Sequence, residues 1–210
     1  MRVGLYGGTF DPVHFGHLVL AEQCREQLSL DSVWFIPAGT PPHKAGREIS
    51  PGPSRAEMLE CAIAGTPQFR VHPLELQRTG PSYTVDTLRQ LRQEHPGDSF
   101  FLLLGADMLA DLPNWREPGA VATLATLVAV NRGGEAPPNL AMLKQSLGEV
   151  VNSVLRVSMP EIAISSRDLR TRVRERRSIR YLTPRAVEAY IEQHGLYRAG
   201  SGTPDGTPAT

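Results

Sequence analysis

RVGLYGGTFDPVHFGHLVLAEQCREQL, Arg2 to Leu28, is the stretch on which the fold turns. Arg2–Tyr6 is an apolar run too short for a helix. Gly7–His17 is a glycine-bearing turn, and His17–Leu28 carries apolar residues at helical spacing. A short buried-strand pattern feeding a turn and then a helical period is the opening of a βαβ unit. The same alternation continues along the chain. Ser32–Ile36, Phe69–Leu76, Phe100–Leu104, Thr126–Val130 and Val154–Ser158 are predicted strands. Arg55–Ala64, Val85–Glu94, Gly119–Leu124 and Leu140–Leu147 are predicted crossover helices. FLLLG and LVAV are apolar without alternation, as strands covered on both faces must be. The expected architecture is therefore α/β, a Rossmann-like, doubly wound and mostly parallel sheet. A helical C-terminal segment closes it, Arg167–Arg177 and then Pro184–His194, the latter with Thr183 as N-cap and Pro184 at the first helical position.

Residues 1–198 are expected to form one domain, followed by a tail, 199–210, whose sequence AGSGTPDGTPAT has nothing to bury. Two loops rich in Pro and Gly, Ala38–Pro53 and Asn131–Pro138, are candidate mobile segments over a site. The 210 residues carry 22 Lys+Arg against 22 Asp+Glu. That balance gives no global field for nucleic acid or an anionic membrane, so any anion site must be local. No apolar run approaches the roughly 20 residues that span a bilayer. Cys24 and Cys61 show no framework spacing, which fits a reducing, cytoplasmic setting.

In an open α/β sheet, ligands bind beyond the carboxyl ends of the strands, and a glycine-rich strand-to-helix turn lets backbone N–H groups approach phosphate. The turn Gly7–His17 fits that place. It is neither GxGxxG nor GxxxxGK[ST], so the dinucleotide and Walker readings fail on spacing. Instead it brings His14 and His17, three apart, onto one side of a helix start, where imidazole donors add to the positive end of the dipole and suit a polyphosphate. A zinc pair is the competing reading, though it lacks an accompanying Cys or Glu cluster. A second anion seat is legible at ISSRDLR, Ile164–Arg170: Ser165 and Ser166 at a helix N-terminus and Arg170 one turn in. Arg172, Arg174, Arg176 and Arg177 read as a solvated basic face.

GGTFDPVHFGH and ISSRDLR together resemble the nucleotidyltransferase superfamily marked by an HxGH loop and a late ISSTxxR-like segment. Within it, PPHK at Pro41–Lys44, SYTVDTL at Ser82–Leu88, and GADML with LPNW between Gly105 and Trp115 resemble the bacterial nicotinate-mononucleotide adenylyltransferases. The resemblance covers the chain except its tail. It implies transfer of AMP from ATP to nicotinate mononucleotide, giving deamido-NAD and pyrophosphate, with Mg2+ held mainly by phosphates and water.

Position by position, the resemblance implies the following roles. Gly7, Gly8, Thr9 and Phe10 lie by the ATP phosphates. His14 and His17 contact those phosphates as the catalytic pair. Ser165, Ser166 and Arg170 hold the far phosphates, and Lys44 reaches in from its loop. Gly105 and Asp107 lie near the ribose, Trp115 packs on the pyridine, Thr84 helps orient its carboxylate, Tyr83 joins the substrate-binding set, and Arg132 meets the mononucleotide phosphate. Two departures stand out. Arg167 occupies a position usually held by Thr, and Asn131-Arg132-Gly133-Gly134 replaces a stretch that more often reads Arg-Pro-Gly. The same superfamily includes adenylyltransferases for nicotinamide mononucleotide and for phosphopantetheine. A nucleotide-binding module without turnover is the reading from another class. Small molecules are the expected partners, and the sequence leaves homo-oligomer formation open.

Overall fold

The computed structural model describes residues 1–40, 49–133, 140–148 and 153–198. Its centre is one six-stranded sheet: β1 Arg2–Gly8, β2 Ser32–Pro37, β3 Phe69–Val71, β4 Ser99–Gly105, β5 Thr126–Arg132 and β6 Leu155–Met159. The spatial order is β3-β2-β1-β4-β5-β6 and every pairing is parallel. The chain first builds from β1 toward β3, then returns to the other side of β1. With right-handed crossovers, the two halves must lay their helices on opposite faces.

They do. α1 (Phe15–Gln27) and α2 (Gly52–Ile63) cover one face together with the late helices α7 (Ser166–Arg174) and α8 (Arg185–Gln193). α3 (Thr84–Glu94), α4 (Ala106–Asp111), α5 (Pro118–Leu124) and α6 (Leu140–Leu147) cover the other. The strands alternate between the two layers. Val33, Phe35, Phe101, Leu103, Val128 and Val130 face the first core, and Trp34, Ile36, Phe100, Leu102, Leu104 and Leu127 face the second. Successive strand side chains point to opposite faces, so a strand buried on both sides must be apolar throughout.

Three expectations need correction. The strand expected over Phe69–Leu76 ends at Val71, and Pro73–Gln77 is a 3-10 turn. Pro73 has no N–H for a ladder, which stops the strand. The segment after β4 forms α4 and a 3-10 turn, Leu112–Asn114, where no helix is predicted; at six residues, α4 is too short to show a period. Thr183 does not cap the last helix. The N-cap is Pro184, and the Thr183 hydroxyl donates instead to the Val13 carbonyl at 2.8 Å. Cys24 and Cys61 are free thiols, and burial pushes the Cys24 thiol up to about 12. Among the described residues no helix is long and apolar enough to cross a membrane. Residues 199–210, Pro41–Lys44 and most of the Asn131–Pro138 loop lie outside the described residues.

Candidate active site

The direction of chain growth reverses between β1 and β4, and a crevice opens there beyond the carboxyl ends of the two strands. Gly7 and Gly8 end β1 and Gly105 ends β4. A cavity of about 340 Å³ lies at this point, its walls including Gly7, Gly8, Tyr83, Thr84, Gly105, Asp107 and Trp115. Segments far apart in sequence thus meet as one pocket, and each carries a residue singled out above.

The loop that follows β1 turns back over it. Phe10 takes a left-handed backbone, φ 50°, and is only 2% exposed. Its ring packs edge-on to Tyr6 at 5.3 Å and to His17 at 5.1 Å between centroids. A Cβ on Gly8 would meet that ring at 2.8 Å, so this position has to be glycine for the loop to close. What Phe10 offers a ligand is backbone, since its ring belongs to the core.

His14 is the N-cap of α1, and His17 stands on its first turn. Their rings stack at 3.7 Å, 28° from parallel. The His14 backbone N–H donates to His17 Nδ1 at 3.2 Å. That bond occupies the Nδ1 lone pair, so the proton of the neutral His17 ring sits on Nε2 as a donor. The helix start adds its own N–H groups and partial positive charge. Neither imidazole lines the cavity. The cluster of donors and the pocket are two compartments that meet at Gly7 and Gly8.

The late segment is brought onto this loop by direct bonds. Ser166 Oγ donates to the Pro12 carbonyl at 2.9 Å, and Arg170 Nη1 donates to the Asp11 carbonyl at 2.5 Å. Thr183 holds Val13, and the Phe15 N–H donates to the Leu182 carbonyl at 3.2 Å. Tyr197, beyond α8, donates from its hydroxyl to Asp11 Oδ1 at 2.6 Å. Ser165 is the true cap of α7, its Oγ accepting from the Asp168 N–H at 3.1 Å. Arg167 is exposed on that first turn. Arg172 and Arg177 pair with Asp168 and Glu175 at 2.7 and 2.8 Å, the solvated face expected of them.

The pocket side has a comparable frame. Tyr83 precedes α3 and carries the Arg116 guanidinium 4.8 Å from its ring centroid. Trp115 donates from Nε1 to Asp111 Oδ2 at 3.2 Å while its ring lines the cavity. Lys44 lies outside the described residues, and of Arg132 only the backbone at the end of β5 is described.

Two groups were missed in the sequence. Arg55 is 2% exposed and spends its guanidinium on backbone carbonyls: Nε on Ser50 at 3.0 Å, Nη1 on Thr9 at 2.9 Å, Nη2 on Ala38 at 2.7 Å. The signal was present, since Arg55 lies on the same helical stripe as Met58 and Leu59, where a charge is out of place. Glu75 is 8% exposed under the pocket, with Thr87 Oγ1 donating to its Oε1 at 2.7 Å and Arg78 in turn donating to Thr87. Burial raises the Glu75 carboxyl above the usual range against the opposing pull of Thr87, Arg78 and Ser82. Nothing in the spacing of Glu75 marked it, because the pocket wall it joins comes from other segments.

A glycine-turn helix start with paired imidazoles, joined to a Ser/Arg seat at a crevice between parallel strands, defines a nucleotide-handling α/β protein. The chain belongs to the cytidylyltransferase-like family, whose pattern matches residues 5–172. It is 48% identical over 198 residues to the probable nicotinate-nucleotide adenylyltransferase of Thermus thermophilus, covering 94% of this chain and 100% of that one. It is 43% identical over 204 residues to the one of Geobacillus thermodenitrificans, covering 97% and 89%. Among solved structures, Plasmodium falciparum nicotinic acid mononucleotide adenylyltransferase complexed with NaAD shares the fold. The TM-score is 0.78 at 19% identity, with 93% of this chain and 97% of that chain covered.

Proposed function

We propose that this protein transfers the adenylyl group of ATP to the phosphate of nicotinate mononucleotide, giving nicotinate adenine dinucleotide and pyrophosphate. One observation carries the reading most directly: Ser166 and Arg170 are bonded to the carbonyls of Pro12 and Asp11, so the two anion seats form one basin. That basin adjoins a pocket large enough for a flat ring, with Trp115 as a face to stack on.

The chemistry asks for no covalent intermediate. A phosphate oxygen of the mononucleotide attacks the α-phosphorus of ATP, the new P–O bond forms in line, and the bond to the bridging oxygen breaks with its electrons leaving on pyrophosphate. The protein holds two polyanions together and stabilises charge on the α-phosphoryl oxygens. His17 Nε2 and the α1 N-terminus serve that second task, with His14 beside them. The backbone of Gly7, Gly8, Thr9 and Phe10 shapes the phosphate path, Ser165, Ser166 and Arg170 take the outer phosphates, Lys44 reaches the phosphate region from its loop, and Arg132 meets the mononucleotide phosphate. Gly105 and Asp107 meet the ribose, and Tyr83, Thr84 and Trp115 the pyridine.

Mg2+ fits the donor set as an ion carried on ATP. The basin is built of hydrogen-bond donors, and Asp11, the carboxylate within the loop, already accepts from the Tyr197 hydroxyl and, at 3.3 Å, from the Ser50 N–H. Phosphate oxygens and water would therefore hold the ion, which would supply neutralisation of the leaving group.

The test is kcat/KM with Mg-ATP and either nicotinate or nicotinamide mononucleotide, following the dinucleotide directly. A strong preference for the acid is expected. Comparable rates would make the enzyme dual in specificity. Turnover with neither, but with phosphopantetheine, would move it to another branch of the superfamily, and no turnover with any would leave a binding module.

A further inference from the structure

On the face away from the loop basin, beside the edge strand of the sheet, His72, Glu94 and His95 present one ligand atom each, all within 4.8 Å of one another. None of the three lines the active-site cavity. His72 leaves β3 and is fixed by its own N–H on the Phe35 carbonyl at 2.8 Å. Glu94 and His95 end α3, where the His95 N–H donates to the Leu91 carbonyl at 2.8 Å. Two backbones are thus anchored so that a mixed imidazole and carboxylate set converges without help from a flexible loop.

The surroundings suit a cation. Trp34, 4% exposed, stacks on the His72 ring at 5.1 Å and 21° and meets His95 edge-on at 5.0 Å. The His72 Nδ1 atom is buried with no hydrogen-bond partner among the described residues. A buried ring nitrogen left in that state is costly, and coordination or a proton bond would relieve it. Burial also holds the His72 imidazole below its ordinary value, against the opposing pull of Glu94. Glu94 spends Oε1 on Gln90 Nε2 at 2.8 Å, which leaves Oε2. Asp98 Oδ2 lies 3.9 Å from His95 Nδ1 and adds negative charge to the same side.

We infer that His72, Glu94 and His95 form a binding site for a first-row divalent metal ion of the zinc class, clamping the end of α3 to the exit of the edge strand. Two nitrogens and one carboxylate oxygen are ligands of that class, with water in the fourth position. Bonds of about 2.0–2.1 Å at tetrahedral angles require ligand atoms about 3.3 Å apart, so the set closes by up to about 1.5 Å on binding. Glu94, exposed on the last turn, supplies that movement by changing rotamer. The ion is remote from the reaction and acts on stability alone, because only the folded state brings the three residues together.

Trp34 makes the site readable. The chain has two tryptophans, so Trp115→Phe leaves Trp34 as the single reporter. The chelator-treated full chain in that background is titrated with Ni2+ or Co2+. The expected result is saturable quenching of Trp34 at one equivalent, a ligand-field absorption for Co2+, and a melting temperature raised by about 5 °C in excess Zn2+. His72→Ala and His95→Ala, made in the otherwise unchanged chain, should each weaken the metal at least tenfold while leaving kcat and KM as they were. His14 and His17 are the rival ligands. Binding that survives His72→Ala with His95→Ala and disappears in His14→Ala with His17→Ala would overturn the inference, as would stoichiometric binding with no quenching of Trp34 or no binding at all.

Discussion

The Nδ1 atom of His17 is committed to the His14 N–H, and its ring is wedged against Phe10 and Tyr6, so Nε2 is aimed by packing. A donor fixed in advance needs no reorganisation as charge develops on the α-phosphoryl group. In the role proposed for His17, His17→Ala should lower kcat by about 10²–10³-fold with little change in the KM for ATP, as loss of an interaction strongest in the transition state does. Steady-state kinetics at saturating Mg-ATP give the answer, and an unchanged kcat would remove His17 from that role.

Between elements, the work is done by polar tethers. Arg55 on α2 ties Thr9 of the loop after β1 to Ala38 after β2 and to Ser50 before its own helix. The late helices grip the other side of the loop through Ser166, Arg170, Thr183 and Tyr197. Lysine offers its three donors from one nitrogen and cannot span those carbonyls, so Arg55→Lys keeps the charge and leaves buried acceptors unpaired. We expect a stability loss of about 2–4 kcal/mol and at least a tenfold fall in kcat/KM, read by denaturant unfolding and by the same assay. Wild-type unfolding with wild-type rates would show that the loops hold without the fork.

For the molecule as a whole, burial of Glu75 links folding to pH. Its carboxyl lies above the ordinary 4.5 in the folded state because burial disfavours the charge. Below 4.5 it is protonated both folded and unfolded. Above that the unfolded chain releases the proton first, so the folded state binds more protons and stability falls as pH rises until the folded carboxyl has also ionised. Glu75→Gln keeps the acceptor for Thr87 and removes the ionisation. Melting curves of the two proteins from about pH 4.5 to about pH 7.5 should show the variant gaining on the wild type as pH rises, and a constant difference would contradict the burial argument.

Local pattern was enough to settle the parallel α/β sheet, because strands buried on both faces must be apolar throughout and helices must repeat their apolar residues every turn. FLLLG, LVAV and the period of Arg2–Leu28 carry that information within a few residues. The chain also marked the residues proposed for phosphate, the glycine turn with His14 and His17 and the run Ser165–Arg170, and the fold places both at helix starts. α4 was hidden by its shortness, and the true partner of Thr183 by a separation of 170 residues from Val13. It took the assembled fold to show that Ser166 and Arg170 bond the loop after β1, that Arg55 bonds the same loop while Glu75 lines the pocket beside it, and that His72 meets His95 behind Trp34. Those are contacts between segments whose mutual approach is set by the order of strands in the sheet, and no local pattern records which segments a sheet will bring together.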